Sequence, residues 1–415
     1  MKRSLSALAL IGLLGVSFGA QAPERLAQVD RVFQQSVDDN KIAGAVVLVL
    51  RDGKPVYEKA FGWADKEAGR KMTTDTIFRI ASQSKAITST ALLSLVEEGK
   101  VAINDPASRY IPGFAKTMVA VAGDSEVKLV PARRQITIRD LLTHTAGISY
   151  GTNASVAEQY KSKGLGAAAG PSGWYTADKD EPICTTMDTV SMLPFVAQPG
   201  ESWVYGYNTD ILGCIVERAS GMALDEFIRT RITGPLKMKD TQFFLPAAER
   251  HRLAAVYSGG PDGTISRAAE GAAGQGHYVD GPRKSFSGGA GLLSTASDYA
   301  RFLEMLRRGG EIDGVRVLSP RAVELMATNQ LGTLYSTNGL GFGYGFETVE
   351  RYGAKGMASV GSFSWGGAYG TTYWVDPKAH MVAVMMVQLL PGNAGPIADR
   401  FNATVYQALL DVPVR

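Results

Sequence analysis

From Ala43 to Leu50 the chain is apolar at almost every position, and Asp52-Gly53 then turns it into a second extended run from Pro55 to Gly62. A dipeptide of that kind between two such runs predicts a hairpin. Apolar residues on both parities predict a strand covered on both faces, because alternate side chains point to opposite sides of a sheet. Ahead of it, residues from Glu24 to Asp39 carry the spacing of an amphipathic helix. The far end repeats the arrangement: Thr371 to Val375 and Met381 to Leu389 flank Asp376-Pro377-Lys378, and a helical pattern follows from Gly395 to Leu410. Strands at both ends with helical segments between them predict a mixed α/β (α+β) fold. One antiparallel sheet is expected from about residues 23–80 and 290–415, flanked by helices, with a mostly helical lobe from about 81–289.

Two stretches rich in small residues, Gly151 to Thr186 and Ser258 to Gly289, interrupt the helical middle. Loops of this length are usually functional or disordered. No internal repeat or linker divides the chain. Its first residues read differently: Lys2 and Arg3 precede a nearly all-apolar run from Leu5 to Phe18, ending in Ala20-Gln21-Ala22. That is the pattern of a secretory leader over residues 1–22, and it predicts a periplasmic or extracellular protein with no stable membrane partner once the leader is cut. Pro23 fits poorly after the cut, so cleavage after Gly19 is an alternative, as is a retained anchor.

Composition narrows the classes. With 45% apolar residues a large core is available, and 43 basic against 40 acidic side chains give a net charge of +3, too little for a nucleic-acid footprint. Cys184 and Cys214 can pair in an oxidising compartment, although Cys214 equally suits a buried thiol. The four histidines show no metal-ligand spacing, and no cofactor motif stands out. Gly339 to Gly345 lacks the Lys-Ser/Thr ending of a phosphate loop.

Candidate chemistry begins with two Ser-x-x-Lys tetrads, Ser82 to Lys85 and Ser125 to Lys128. After Ser82, apolar residues at Ile87, Ala91 and Leu95, widened by Leu92 and Val96, predict a helix that ends at Gly99 with Ser82 in its first turn. Serine and lysine three apart on a helix lie side by side, so the amine can take the hydroxyl proton. The other reading of Ser82 is an ordinary N-cap. Ser125 sits in a polar segment that soon meets Pro131. Ser149 competes through Gly147-Ile148-Ser149-Tyr150-Gly151, but a nucleophile elbow needs a strand before it and a helix after it, and Thr137 to Thr145 reads as helix. Tyr205 precedes a helical pattern and is either packing or a base whose phenolate a nearby lysine supports. Gly361 to Ala368 is a glycine-rich turn at a strand, where a substrate can approach the backbone.

The order of these pieces, Ser82-x-x-Lys85, Tyr205 and Trp365-Gly366-Gly367, resembles the serine β-lactamase and penicillin-binding-protein superfamily. The likeness is greatest to the class C β-lactamase-related branch, and within it to the family VIII carboxylesterases. It runs through nearly all of the expected mature chain, 23–415, and includes Asp140 to Gly147, Gly288 to Thr295 and Gly366 to Thr371. The resemblance implies a β-lactamase/transpeptidase-like fold and no cofactor. It makes Ser82 the acylated nucleophile, Lys85 the group that lowers its proton affinity, and Tyr205 the proton shuttle. The backbone N–H groups of Ser82 and Ala368 form the oxyanion hole, and Tyr207, Trp365, Gly366 and Gly367 lie against the substrate. Two departures bear on substrate: Tyr207 stands where Tyr-x-Asn has asparagine, and Trp365-Gly366-Gly367 replaces Lys-Thr-Gly. Losing that lysine removes a partner for a substrate carboxylate, and an indole adds an apolar wall. Both favour uncharged esters over β-lactams and D-Ala-D-Ala ends, and the expected activity is that of a secreted serine hydrolase cleaving short-chain carboxylic esters through an acyl-enzyme on Ser82. A β-lactamase, D-aminopeptidase or acyltransferase on the same residues is the alternative activity, and a non-catalytic scaffold that recognises cell-wall peptides is the alternative class.

Overall fold

The computed structural model describes residues 22–123, 126–260, 263–391 and 394–408. The expected leader up to residue 21, Ser125 of the second tetrad and the end of the last helical pattern at Leu410 lie outside them.

The two chain ends meet in one eight-stranded sheet. The N-terminal part supplies β1 (Gly44–Arg51), β2 (Lys54–Asp65) and β3 (Arg70–Lys71). Short β4 (Phe78–Arg79) and β5 (Leu293–Ser294) pair with each other outside that sheet. The C-terminal part adds β6 (Leu340–Phe342), β7 (Glu347–Val349), β8 (Phe363–Gly366), β9 (Thr372–Asp376) and β10 (Met381–Met386). Neighbours run β6-β7-β8-β9-β10-β1-β2-β3, and each pair is antiparallel. The seam between the ends is β1 on β10, with Val47 opposite Met385 and Leu48 opposite Val384.

Parity in β1 does what the apolar run requires. Val47 and Val49 join Trp374, Met385 and the terminal helices α1 (Ala22–Asp38) and α7 (Gly395–Tyr406), where Phe33 and Phe401 pack edge to face. Val46 and Leu48 face the other way, into the main core. That core holds α2 (Ser84–Glu97) and α6 (Ala296–Arg307), and Tyr299 of α6 meets Tyr373 of β9 at 5.2 Å between ring centres. Because α2 is central, its polar positions are buried along with its apolar ones. Thr88 donates to the Gly288 carbonyl and Thr90 to the Ala86 carbonyl.

In the helical region, α3 (Ile138–Leu142) starts from a reciprocal capping box between Thr137 and Asp140. Asp140 also takes two bonds from Arg134 at 2.6 and 2.9 Å. Burial works to raise its carboxyl, but Arg134 and Thr137 together hold it below the usual range. Further on, α4 (Ile183–Ser191) and α5 (Asn208–Ser220) are joined by a disulfide between Cys184 and Cys214. The small-residue stretch after Gly151 is threaded into the core: Tyr160, Leu165 and Ala169 are buried, and the Trp174 ring meets Tyr369.

The disulfide spans a sequence separation of 30. Loop-closure entropy for a span of that size is worth about 3.6 kcal/mol. Replacing Cys184 and Cys214 together by alanine should lower the unfolding free energy by about that amount in a urea titration.

Candidate active site

Three chain segments converge on the Lys85 amine. Its Nζ lies 3.2 Å from Ser82 Oγ, 3.0 Å from Tyr150 Oη and 2.7 Å from the Gly289 carbonyl oxygen. Lys85 is 1% exposed, so these contacts replace water around a group that is costly to bury unsatisfied.

Ser82 sits in a one-turn 3-10 segment, Ala81–Gln83, that leads into α2 rather than in the α-helix itself. Ala81 has a positive φ of 41°, sparsely populated for a residue with a Cβ. The turn is held from behind, where Ile80 N–H donates to the Leu292 carbonyl and Leu292 N–H donates to Ser84 Oγ. The side-by-side placement of Ser82 and Lys85 survives this change of helix type.

Tyr150 arrives from the segment after α3. Gly147 there takes φ 82°, and a Cβ would come within 2.1 Å of the Ala197 carbonyl oxygen, so only glycine fits. Burial, with Tyr205, Asp210 and Tyr207 nearby, holds the Tyr150 phenol far above its ordinary value, and it stays neutral. Gly289 is fixed by Asp210 of α5, whose Oδ1 accepts from the Gly289 N–H at 3.1 Å and from Ser287 Oγ at 2.5 Å. Burial raises the Asp210 carboxyl, against the pull of Lys85. A Cβ on Gly289 would meet Asp210 Oδ2 at 2.4 Å.

Tyr205 completes the cleft from another direction. Lys85 Nζ lies 4.6 Å from its ring centre, and its Oη accepts from Trp365 Nε1 at 3.2 Å. Trp203 stacks on Tyr205 at 5.5 Å, while Phe342 and Trp365 pack edge to face at 5.3 Å. Half-buried Ser82, Tyr205 and Trp365 therefore line an aromatic wall above a buried amine. Trp365 and Gly366 lie in β8, and Gly367 follows in a tight turn with Thr371. A Cβ on Gly367 would come within 2.4 Å of the Ile80 carbonyl oxygen, which is how the end of β8 reaches the Ser82 turn. Ala368 comes next. Among the described residues, neither the Ser82 nor the Ala368 N–H donates to a backbone carbonyl.

One expected substrate contact is corrected. Tyr207 is fully buried, donates its hydroxyl to the Gly173 carbonyl, and packs on Tyr150 at 5.0 Å. It anchors the small-residue loop instead of lining the cleft. Two residues apart means one side only in a strand, and Tyr207 has already turned into the N-terminus of α5 with φ −65° and ψ 5°. Ser149 is buried too, its Oγ accepting from Gly151 N–H, with helix α3 before it and no strand. The sequence reading missed Tyr150, Asp210 and Gly289 as partners of the site. Tyr150 was visible only as a neighbour of Ser149, and Gly289 only as part of a resembling stretch.

Behind Tyr205 lies His144, fully buried, its ring 4.7 Å from the Tyr205 ring and its Nδ1 2.9 Å from Asn208 Nδ2. A donating amide makes Nδ1 the acceptor and the imidazole neutral. Burial first, and then the Lys85 charge, hold His144 well below its ordinary value.

Such a site, with a serine hydroxyl on a buried amine beside a phenol and two spare backbone N–H groups, has the parts of a serine acyl-transfer enzyme. Residues 29–407 match the family described as Beta-lactamase, and the chain belongs to that family. Its enzymatic class is serine hydrolase. It is 36% identical to an uncharacterized protein of Mycobacterium tuberculosis over 85% of this chain and 88% of that one. It is 30% identical to esterase EstB of Burkholderia gladioli over 94% of this chain and 97% of that one. The solved structure of EstCE1, a hydrolase with promiscuous acyltransferase activity, superposes with a TM-score of 0.76 at 26% identity, covering 93% and 99% of the two chains.

The neutral His144 stabilises the fold above the ordinary histidine pKa, and that contribution falls as pH drops below about 6.5. The slope of unfolding free energy between pH 7 and pH 5 should be steeper for the wild type than for His144→Gln, by up to about 1.4 kcal/mol per pH unit. Equal slopes would show that His144 is not held neutral.

Proposed function

We propose that the protein is an exported esterase that cleaves short-chain, uncharged carboxylic esters through an acyl-enzyme on Ser82. The observation that carries the reading is the 3.2 Å contact between Ser82 Oγ and Lys85 Nζ. With one N–H committed to the Gly289 carbonyl, which can only accept, the amine keeps a fixed orientation toward the hydroxyl. In the first step, which needs the uncharged form of the Lys85 amine, Ser82 Oγ adds to the ester carbonyl as its proton passes to Lys85. The developing oxyanion is met by the Ser82 and Ala368 N–H groups, each worth on the order of 3 kcal/mol to the barrier.

Collapse of this intermediate expels the alcohol, which takes a proton from Tyr205. Trp365 N–H donates to Tyr205 Oη, so the phenol's own proton is free to leave, and the same indole then stabilises the phenolate. That phenolate draws a proton from water, which attacks the acyl carbonyl, and the acid leaves as Ser82 Oγ takes back from Lys85 the proton it gave up in the first step. Tyr150 holds Lys85 from the other side as a neutral phenol. For substrate, support comes from the aromatic surround of Trp203, Phe342 and Trp365 and from tryptophan in place of a carboxylate-binding lysine. For export, support comes from the leader pattern and from the Cys184–Cys214 disulfide.

The test is parallel hydrolysis of p-nitrophenyl butyrate and a chromogenic cephalosporin. Ester turnover should be fast and cephalosporin cleavage slow, and Ser82→Ala should lower ester turnover at least about a thousandfold. Faster cephalosporin than ester cleavage would assign a β-lactamase. Turnover surviving in Ser82→Ala would remove the mechanism.

Tyr205→Phe and Tyr150→Phe separate the two phenols. The first should reduce kcat by about a hundredfold or more, since it removes the proton donor. The second should cost less and shift the pH profile, since it removes only a partner of Lys85.

A further inference from the structure

A cavity of about 630 Å³ contains none of the residues placed at the cleft. Its apolar lining is Ile228, Met238, Phe243, Phe244, Phe286 and Leu292, and Phe286 packs on both neighbouring phenylalanines at 5.4 and 6.0 Å. Around this floor stand four exposed cations, Arg229, Lys237, Lys239 and Arg283, against one acid, Asp225. The lining thus carries a net charge of +3, as much as the whole 415-residue chain.

These cations are not spent on ion pairs among the described residues. Arg283 is braced by the Leu245 and Val279 carbonyls, and the acid that feels it, Asp280, is bonded to Arg250. The acids that feel Lys239 and Lys237 are already engaged, Asp298 by the Asp240 N–H and Asp313 by Arg301. Lys237 and Arg283 both hold φ 58°, an unusual conformation for long side chains. A concave apolar floor of this size under a ring of unpaired positive charge has the two-part chemistry of an amphiphilic anion.

We propose that this cavity is a binding site for a single-chain fatty-acid anion, with the alkyl chain on the phenylalanines and the carboxylate among Arg229, Lys237, Lys239 and Arg283. The site is independent of the ester reading. It is separate from the cleft, but Leu292 is shared between them through its backbone bonds to Ile80 and Ser84 on either side of Ser82.

Calorimetric titration with decanoate, below its micelle concentration, tests this on the full chain. Saturable binding at one site is expected, with decanol, the same chain without the charge, binding more weakly. Reversing Arg229→Glu and Lys237→Glu, both exposed, should weaken decanoate binding about tenfold or more. Turnover of p-nitrophenyl butyrate without decanoate should not change in that variant. The same reversal at Lys54 and Lys378, exposed beside the two sheet hairpin turns, should leave binding as it was. No saturable binding, equal binding of decanol, or affinity unmoved by the Arg229 and Lys237 reversal would overturn the proposal.

Discussion

The buried amine of Lys85 is the constraint around which the rest of the site is arranged. A group so enclosed needs acceptors brought to it, and the turn leading into α2 supplies only one nearby oxygen, that of Ser82. The other two come from 65 and 204 residues away along the chain. Tyr150 depends on the α3 capping box and on the left-handed Gly147, and Gly289 depends on Asp210 at the start of α5. The disulfide to α4 then holds the helix that carries Asp210. Disturbing any of these supports moves the amine relative to Ser82 without touching either residue.

A second constraint is the approach of β8 to the Ser82 turn. The sheet joins the two chain ends because β1 and β10 are apolar on both faces, and α1 and α7 cover the outer one. That arrangement fixes where β8 ends, and the absent side chain of Gly367 lets its turn close on Ile80. The nucleophile turn from one part of the chain and the Trp365 to Ala368 segment from the other become two sides of one cleft. Trp365 also bonds Tyr205, so the residue that sets the apolar character of the wall sets the hydrogen bonding of the phenol. Substrate preference and proton transfer are thereby coupled in one side chain.

Local features of the fold were legible in the sequence, and features made by convergence were not. Parity in Ala43 to Leu50, the Asp52-Gly53 turn and the spacing after Ser82 depend on neighbours in the chain, and they gave the sheet, the hairpin and α2. The i, i+3 relation of Ser82 to Lys85 is local in the same way. Tyr150 and Gly289 reach Lys85 only through tertiary packing, and no periodicity announces them. Tyr207 shows the opposite error, since matching it by position to a motif put it beside the substrate. The chain turns between Tyr205 and Tyr207, where Gly206 is pressed so close to Ile148 that a Cβ would lie 2.3 Å from its carbonyl oxygen, and sends the second ring into the core. Cys184 and Cys214 likewise carried no sign of proximity until α4 and α5 were packed together.

The central claim is that the acyl group of an ester rests on Ser82 during turnover. Rapid-quench mass spectrometry of the wild-type protein with p-nitrophenyl butyrate, followed by peptide mapping, examines it directly. The account predicts a butyryl adduct on the peptide that carries Ser82, formed within the first turnover and lost as butyrate appears. A butyryl group on Ser149, or steady ester turnover with no adduct on Ser82, would contradict it.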